Sequence, residues 1–326
     1  MSVIGNEDHK QRINLSSLAR SVIEIDQSVF CEGSSLSGFL NRIITAFREQ
    51  AKASVGLVIQ RRRQQLQALG FDSCAIDQLI ALYRQELTEN YPKGDSVMFR
   101  LNNYNFDLLY GQQAEAEAYS APSKYLKALL EEYARLSPSD REAVYFSNMI
   151  NEVIRPAIDG GWLLQLQLGD KTFLVRPHSL MADPFNSHLY LVGYARYSDK
   201  PDASIASFRI TRITAAKLRR QNGRLSPEEK NLVEKQLQQL GVQYLVGTQD
   251  HIEVRLSKLG RQVFLQRSYM RPTPVQVEGD VYHFHCSAMQ VRNYFLSFGK
   301  EAEILRPLSL RKEFAKAFKD ASKVYG

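Results

Sequence analysis

Between residues 176 and 224 the chain carries nine basic side chains: Arg176, Arg196, Lys200, Arg209, Arg212, Lys217, Arg219, Arg220 and Arg224. Only three acids, Asp183, Asp199 and Asp202, accompany them. Arg209 and Arg212 stand three residues apart. Each keeps its charge at any physiological pH and presents a planar fork that grips phosphate and stacks on bases. Tyr190 adds a ring on which an unpaired base can stack, and a hydroxyl donor. Lys217-Leu218-Arg219-Arg220 can extend the basic surface along a groove. These residue types suit a phosphate-bearing polymer. Their plainer use is structural ion pairing for Arg209 and Arg212, and a solvated face for the run 217–224.

Catalytic chemistry is harder to assemble. Six histidines occur, His9, His178, His188, His251, His283 and His285. His283 and His285 share one strand face beside Cys286, but their spacing suggests no fourth ligand, so no metal site is expected. No phosphate-binding loop, dinucleotide-binding glycine pattern, HExxH or nucleophile elbow is present. His178 has no partner base or acid in sequence. A non-enzymatic protein without cofactor is expected.

The 326 residues carry a net charge of +7, with 44% apolar and 24% charged side chains, a globular composition. The charge is uneven. Residues 1–150 hold 16 basic and 18 acidic side chains, whereas residues 151–326 hold 26 and 17. No apolar run approaches the ~18 residues of a membrane span, and Gly5-Asn6-Glu7-Asp8 opens a start without a signal core. Cys31, Cys74 and Cys286 are scattered and odd in number, which suits a reducing, cytoplasmic compartment.

The elements that must position these residues begin with a repeat. Arg12-Ile13-Asn14-Leu15 alternates as a strand does, and a later stretch, Leu36 to Ala51, places Phe39, Leu40, Ile43, Ile44 and Phe47 on one helical face. A shift of 86 residues maps Ile13 and Leu15 onto Phe99 and Leu101. It also maps Ser37 onto Ser123, and the helical face onto Tyr125, Leu126, Leu129, Leu130 and Tyr133. Two strand–helix–helix units joined by a helical connector, from about Ser54 to Glu89, resemble a ribbon-helix-helix pair fused in one chain. In that family paired strands read the DNA major groove. Arg12, Asn14, Met98 and Arg100 would then point outward, and Arg and Asn can contact guanine and adenine. A folded scaffold without groove contact is the alternative. Arg61-Arg62-Arg63 fits a solvated helix face.

Ser137-Pro138-Ser139-Asp140 reads as a helix start, and that helix should end at Gly160-Gly161. Strand patterns follow at 162–168, 172–176, 189–194 and 207–213. The segments Val175-Arg176-Pro177-His178-Ser179-Leu180, His188-Leu189-Tyr190-Leu191-Val192-Gly193-Tyr194 and Phe208-Arg209-Ile210-Thr211-Arg212-Ile213 resemble the WYL domain, with the signature Trp replaced by Leu189. The resemblance implies an Sm-like β-barrel with a basic pocket for a nucleic-acid or nucleotide ligand. By position, Tyr190, Arg209 and Arg212 belong to that pocket, with Arg176 and His178 near it. From His251 onward the order βαββαβ implies a ferredoxin-like sandwich. Val291–Gly299 together with Ile304-Leu305-Arg306-Pro307 resembles the C-terminal dimerisation module usual in WYL regulators. Tyr294, Phe295 and Phe298 are expected in its core.

The fold class expected is α+β. Its domains are a ribbon-helix-helix-like domain at 1–136, a WYL domain at 137–225 and a dimerisation domain at 226–326. This organisation is similar to that of the WYL accessory proteins of type VI-D CRISPR systems. It implies a homodimer that binds single-stranded RNA and stimulates an RNA-guided CRISPR ribonuclease, with no membrane partner. Arg219 and Arg220, with Arg12, Asn14 and Arg100, are further candidate nucleic-acid contacts. The alternative is a ligand-responsive transcriptional regulator that binds operator DNA through its N-terminal half.

Overall fold

Strict alternation of buried and exposed side chains over Lys10–Leu15 makes β1. Its partner β2, Asp95–Arg100, pairs with it antiparallel in the same chain, Arg12 opposite Met98 and Asn14 opposite Ser96. The computed structural model describes residues 9–31, 33–89, 94–110, 122–198, 203–245 and 250–325. They fall into two units, residues 1–148 and 149–326.

In the first unit β1 is followed by α1 (Ser17–Phe30), α2 (Leu36–Ala68) and α3 (Ser73–Glu89). After β2 come α4 (Asn103–Tyr110), α5 (Pro122–Arg135) and α6 (Pro138–Tyr145). The helices α1 and α4, and likewise α2 and α5, start 86 residues apart, the offset read from the sequence. All the apolar positions matched by the repeat are buried, from Ile13 and Leu15 to Leu130 and Tyr133. The two copies interlock, because α5 packs on β1 and α1 while α2 packs on β2 and α5. Each copy also holds the other's helix start. Ser16, which caps α1, gives its N–H and hydroxyl to the Glu131 carboxylate of α5, both at 2.7 Å. Asn102, at the start of α4, gives its N–H to the Asn41 side chain of α2 at 2.8 Å.

The expected stop of the second helix near Ala51 is corrected: α2 runs unbroken to Ala68, about 50 Å at 1.5 Å per residue. Gly56, in the interior of that run, costs only about 1 kcal/mol relative to Ala. The chain turns at Gly70, whose φ of +82° suits glycine. The arginine run lies on this hairpin, with Arg63 paired to Asp77 at 2.6 Å and Arg62 over the Tyr83 ring at 5.3 Å.

Helical turns lead across the boundary into the second unit, α7 (Ser147–Met149), a π turn at Ile150–Ile154 and α8 (Arg155–Gly160), which stop at the left-handed Gly161. Five antiparallel strands follow: β3 (Trp162–Leu168), β4 (Lys171–Ala182), β5 (Leu189–Tyr197), β6 (Ser204–Arg209) and β7 (Ala215–Asn222). Their order is β6-β5-β4-β3-β7. The expected barrel does not close. Ile210–Arg212 forms a 3-10 turn instead of strand, and the chain returns beside β3, leaving β6 and β7 as the two edges among the described residues.

The remaining elements are α9 (Pro227–Leu240), β8 (Asp250–Leu256), α10 (Lys258–Gln266), β9 (Pro274–Glu278), β10 (Val281–Cys286), α11 (Ala288–Phe295), β11 (Ala302–Arg306) and α12 (Leu308–Tyr325). Sheet order is β11-β8-β10-β9, all antiparallel. One face, with Ile252, Val254, Phe284 and Ile304, packs on Phe264, Phe295 and Phe314. Val192, Ile205 and Val233 join the same core. Tyr294, Phe295 and Phe298 are buried there, as expected. The whole is a mixed α+β architecture. No helix among the described residues is long and apolar enough to cross a membrane.

Candidate nucleic-acid interface

Asp183 anchors the turn that launches β5. It is buried, and its carboxylate accepts the N–H groups of Phe185 at 2.8 Å, Ser187 at 3.2 Å and His188 at 2.8 Å. That fixed turn sets the register of β5, in which Tyr190 lies between Met181 of β4 and Arg209 of β6. Tyr190 and Arg209 are directly opposite residues, close enough for side-chain contact. Both are half-buried, and Tyr190 packs against the shared core. Arg212 follows in the 3-10 turn and is exposed. Tyr190 and Arg209 thus pair at one edge of the five-stranded sheet, and Arg212 follows three residues on, exposed at the turn that leaves it.

Arg176 and His178 lie elsewhere on β4, toward α9. Pro177 has no N–H to give to the ladder, and the strand bulges between Pro177 and Ser179, which leaves His178 as the extra residue. Arg176 opposes Tyr194, with its guanidinium 5.3 Å from that ring's centre, and both ends of its fork bind Glu229. Glu229 in turn closes the capping box of α9 with Ser226. The Arg176 guanidinium is the main cause that holds the Glu229 carboxyl below its usual range. His178 donates to or accepts from Ser179 Oγ at 2.9 Å and stands 4.0 Å from Glu234. Burial lowers its imidazole below the ordinary value, outweighing the opposite pull of Glu234.

Lys217 and Arg219 are on β7, at the far edge. The run Lys217-Leu218-Arg219-Arg220 belongs to a strand, because Ala216 and Leu218 alternate inward beneath the charges. Register across β3 puts Lys217 and Arg219 on the sheet face that also carries Arg176, Tyr190 and Arg209. Arg219 donates to Gln165 Oε1 from Nε at 3.0 Å and also from Nη2; Arg220 is exposed.

In the first unit Arg12, Asn14 and Arg100 share the exposed face of the β1–β2 ribbon with Met98, as expected. Lys10 and Ser96 join them, and Arg12 Nε donates to Ser96 Oγ at 2.8 Å. Beside β1 lies an open cavity of about 320 Å³ lined by Arg12, Ile13, Asn14, Ser123, Lys124 and Lys127. Lys124 and Lys127 were not among the sequence candidates. Their i, i+3 spacing at the head of the helix that begins near Ser123 is the signal that could have found them.

No family model matches the chain, and no curated protein matches it. Among solved structures it is similar to one described as the crystal structure of a CRISPR Cas-related protein. That match has 23% identity and a TM-score of 0.75, and covers 97% of this chain and 94% of the other. It also aligns with proteasome accessory factor B/C of Arthrobacter aurescens at 15% identity and a TM-score of 0.30, over 94% of this chain and 48% of that one. The second likeness is too slight to carry an argument. The first shows that this chain shares the fold of a CRISPR Cas-related protein along nearly the full length of both.

Proposed function

We propose that the protein is a non-enzymatic accessory factor that binds single-stranded RNA and stimulates an RNA-guided CRISPR ribonuclease of type VI-D. The observation that carries this is Tyr190 opposite Arg209, with Arg212 exposed in the turn that follows. A ring for an unpaired base next to forks for its phosphates is what single-strand recognition asks for. The shared fold with a CRISPR Cas-related protein supports the same assignment. The order β6-β5-β4-β3-β7, in which the last strand returns beside the first, supports an Sm-like WYL domain that stays open. The order β11-β8-β10-β9 supports a ferredoxin-like module through which two copies associate. The paired copies of strand, helix and helix support a ribbon-helix-helix half.

The test is a fluorescence titration of the full chain with single-stranded RNA, single-stranded DNA and duplex DNA at two salt concentrations. RNA should bind tightest, and less tightly as salt rises. Arg209→Ala and Arg212→Ala should weaken it, and Tyr190→Ala should cost about 1–3 kcal/mol. Unchanged RNA affinity in all three variants would remove this pocket from consideration. Adding the protein to the ribonuclease should raise cleavage, and light scattering should give the mass of a dimer.

A second reading, a transcriptional regulator, is favoured by the exposed cations of the ribbon and the Lys124-lined cavity beside it. Preference for duplex DNA that is lost in Arg12→Ala and Arg100→Ala would establish it in place of the first.

A further inference from the structure

The outer face of the four-stranded sheet gathers metal-ligating side chains that stand apart from the proposed interface. β8 and β10 are antiparallel neighbours, with Glu253 opposite His283 and His251 opposite His285. Residues two apart on a strand share a face, so these four form a square on the side away from buried Ile252, Val254, Phe284 and Cys286. His251 Nε2 lies 3.2 Å from Glu253 Oε1. The His251 ring centre is 5.4 Å from those of both His283 and His285. Ligand atoms of His251, Glu253 and His283 all fall within 4.8 Å of one another.

Two details distinguish this cluster from an ordinary charged sheet face. His283 Nε2 is buried with no hydrogen-bond partner among the described residues, and the Glu278 carboxylate remains 3.8 Å away. A buried polar nitrogen left without a partner is costly; a lone pair given to a cation removes that cost. Glu253 also divides its oxygens, with Oε2 3.7 Å from Arg306 Nε and Oε1 toward His251.

We propose that this face binds one divalent transition-metal ion of the Zn²⁺ class through His251, Glu253 and His283, with exposed His285 as the fourth donor. Imidazole with a single carboxylate suits Zn²⁺, whereas all-oxygen sites suit Mg²⁺ or Ca²⁺. The ion cross-links β8 to β10. Cys286, adjacent in sequence to His285, points into the core on the opposite face and takes no part.

The experiment strips the full-length protein with a chelator, then titrates it with Zn²⁺ by calorimetry and with Co²⁺ by visible absorption. One ion per chain should bind, and His251→Ala, Glu253→Gln and His283→Gln should each weaken it about tenfold or more. The His251 side chain is 47% exposed, so its removal leaves the core intact. The Co²⁺ spectrum should indicate four-coordinate nitrogen and oxygen donors. Absence of Zn²⁺ binding, undiminished binding in the His251→Ala/His283→Gln double variant, or a sulfur-to-cobalt band from the free cysteines overturns the proposal. RNA affinity plays no part in these readouts, so failure here is separable from failure of the proposed function.

Discussion

Arginine side chains in this molecule divide by what already holds them. The fork of Arg176 is filled by Glu229, and both side chains are less than one-third exposed, at 30% and 26%. Arg212 is exposed at a turn on the sheet edge. Arg176→Ala should therefore act on stability, lowering it by about 1 kcal/mol through loss of the pair and its packing on Tyr194. RNA affinity should hardly move. Urea denaturation and an RNA titration on the same variant separate the two roles. An affinity loss equal to that of Arg209→Ala would return Arg176 to the binding surface. From sequence alone the five basic and aromatic candidates could not be sorted this way, because the partner of Arg176 is 53 residues away on α9. Local spacing shows which side chains are able to bind phosphate; the long-range partner decides which of them is free to do so.

Among the elements, β4 and β5 set the geometry of the sheet. Their ladder crosses the Pro177–Ser179 bulge, and Gly193 sits opposite Pro177. A Cβ on Gly193 would lie 2.3 Å from the Arg176 carbonyl oxygen, a backbone atom that cannot rotate away. Gly193→Ala should cost about 1–3 kcal/mol, as overpacking does, and a shifted denaturation midpoint reports it. An unaltered midpoint would mean that the ladder is loose here. Element periodicity explains most of what sequence reading reached. The 86-residue repeat was legible because each copy buries the same helical face, and the βαββαβ order because each strand alternates. What stayed hidden was set by pairing instead. In the sequence β7 shows only as a basic run, because Lys217, Arg219 and Arg220 mask Ala216 and Leu218. His251 was not linked to His283 because strand register joins them across 32 residues, where no local pattern operates. The barrel failed to close because one turn at Ile210–Arg212 redirects the chain.

At the scale of the whole molecule, charge and symmetry point to different partners for the two units. Residues 1–148 hold two more acids than bases, and residues 149–326 nine more bases than acids. Most of the long-range attraction for a polyanion therefore belongs to the second unit, and it should fade as salt screens it. The first unit has a different resource in its ribbon, whose two strands belong to one chain. A ribbon assembled from two identical chains falls apart on dilution and must show its target the same side chains twice. This one does neither. Cysteines placed by Arg12→Cys and Met98→Cys, directly opposite on the two strands, should on oxidation join within one chain, and a cross-linked dimer on a denaturing gel that the parent protein lacks would show that the strands pair between molecules instead. Freed from two-fold symmetry, one strand offers Lys10, Arg12 and Asn14 while the other offers Ser96, Met98 and Arg100. Whatever this face touches, it can meet an asymmetric surface and fix the direction in which the protein sits on it.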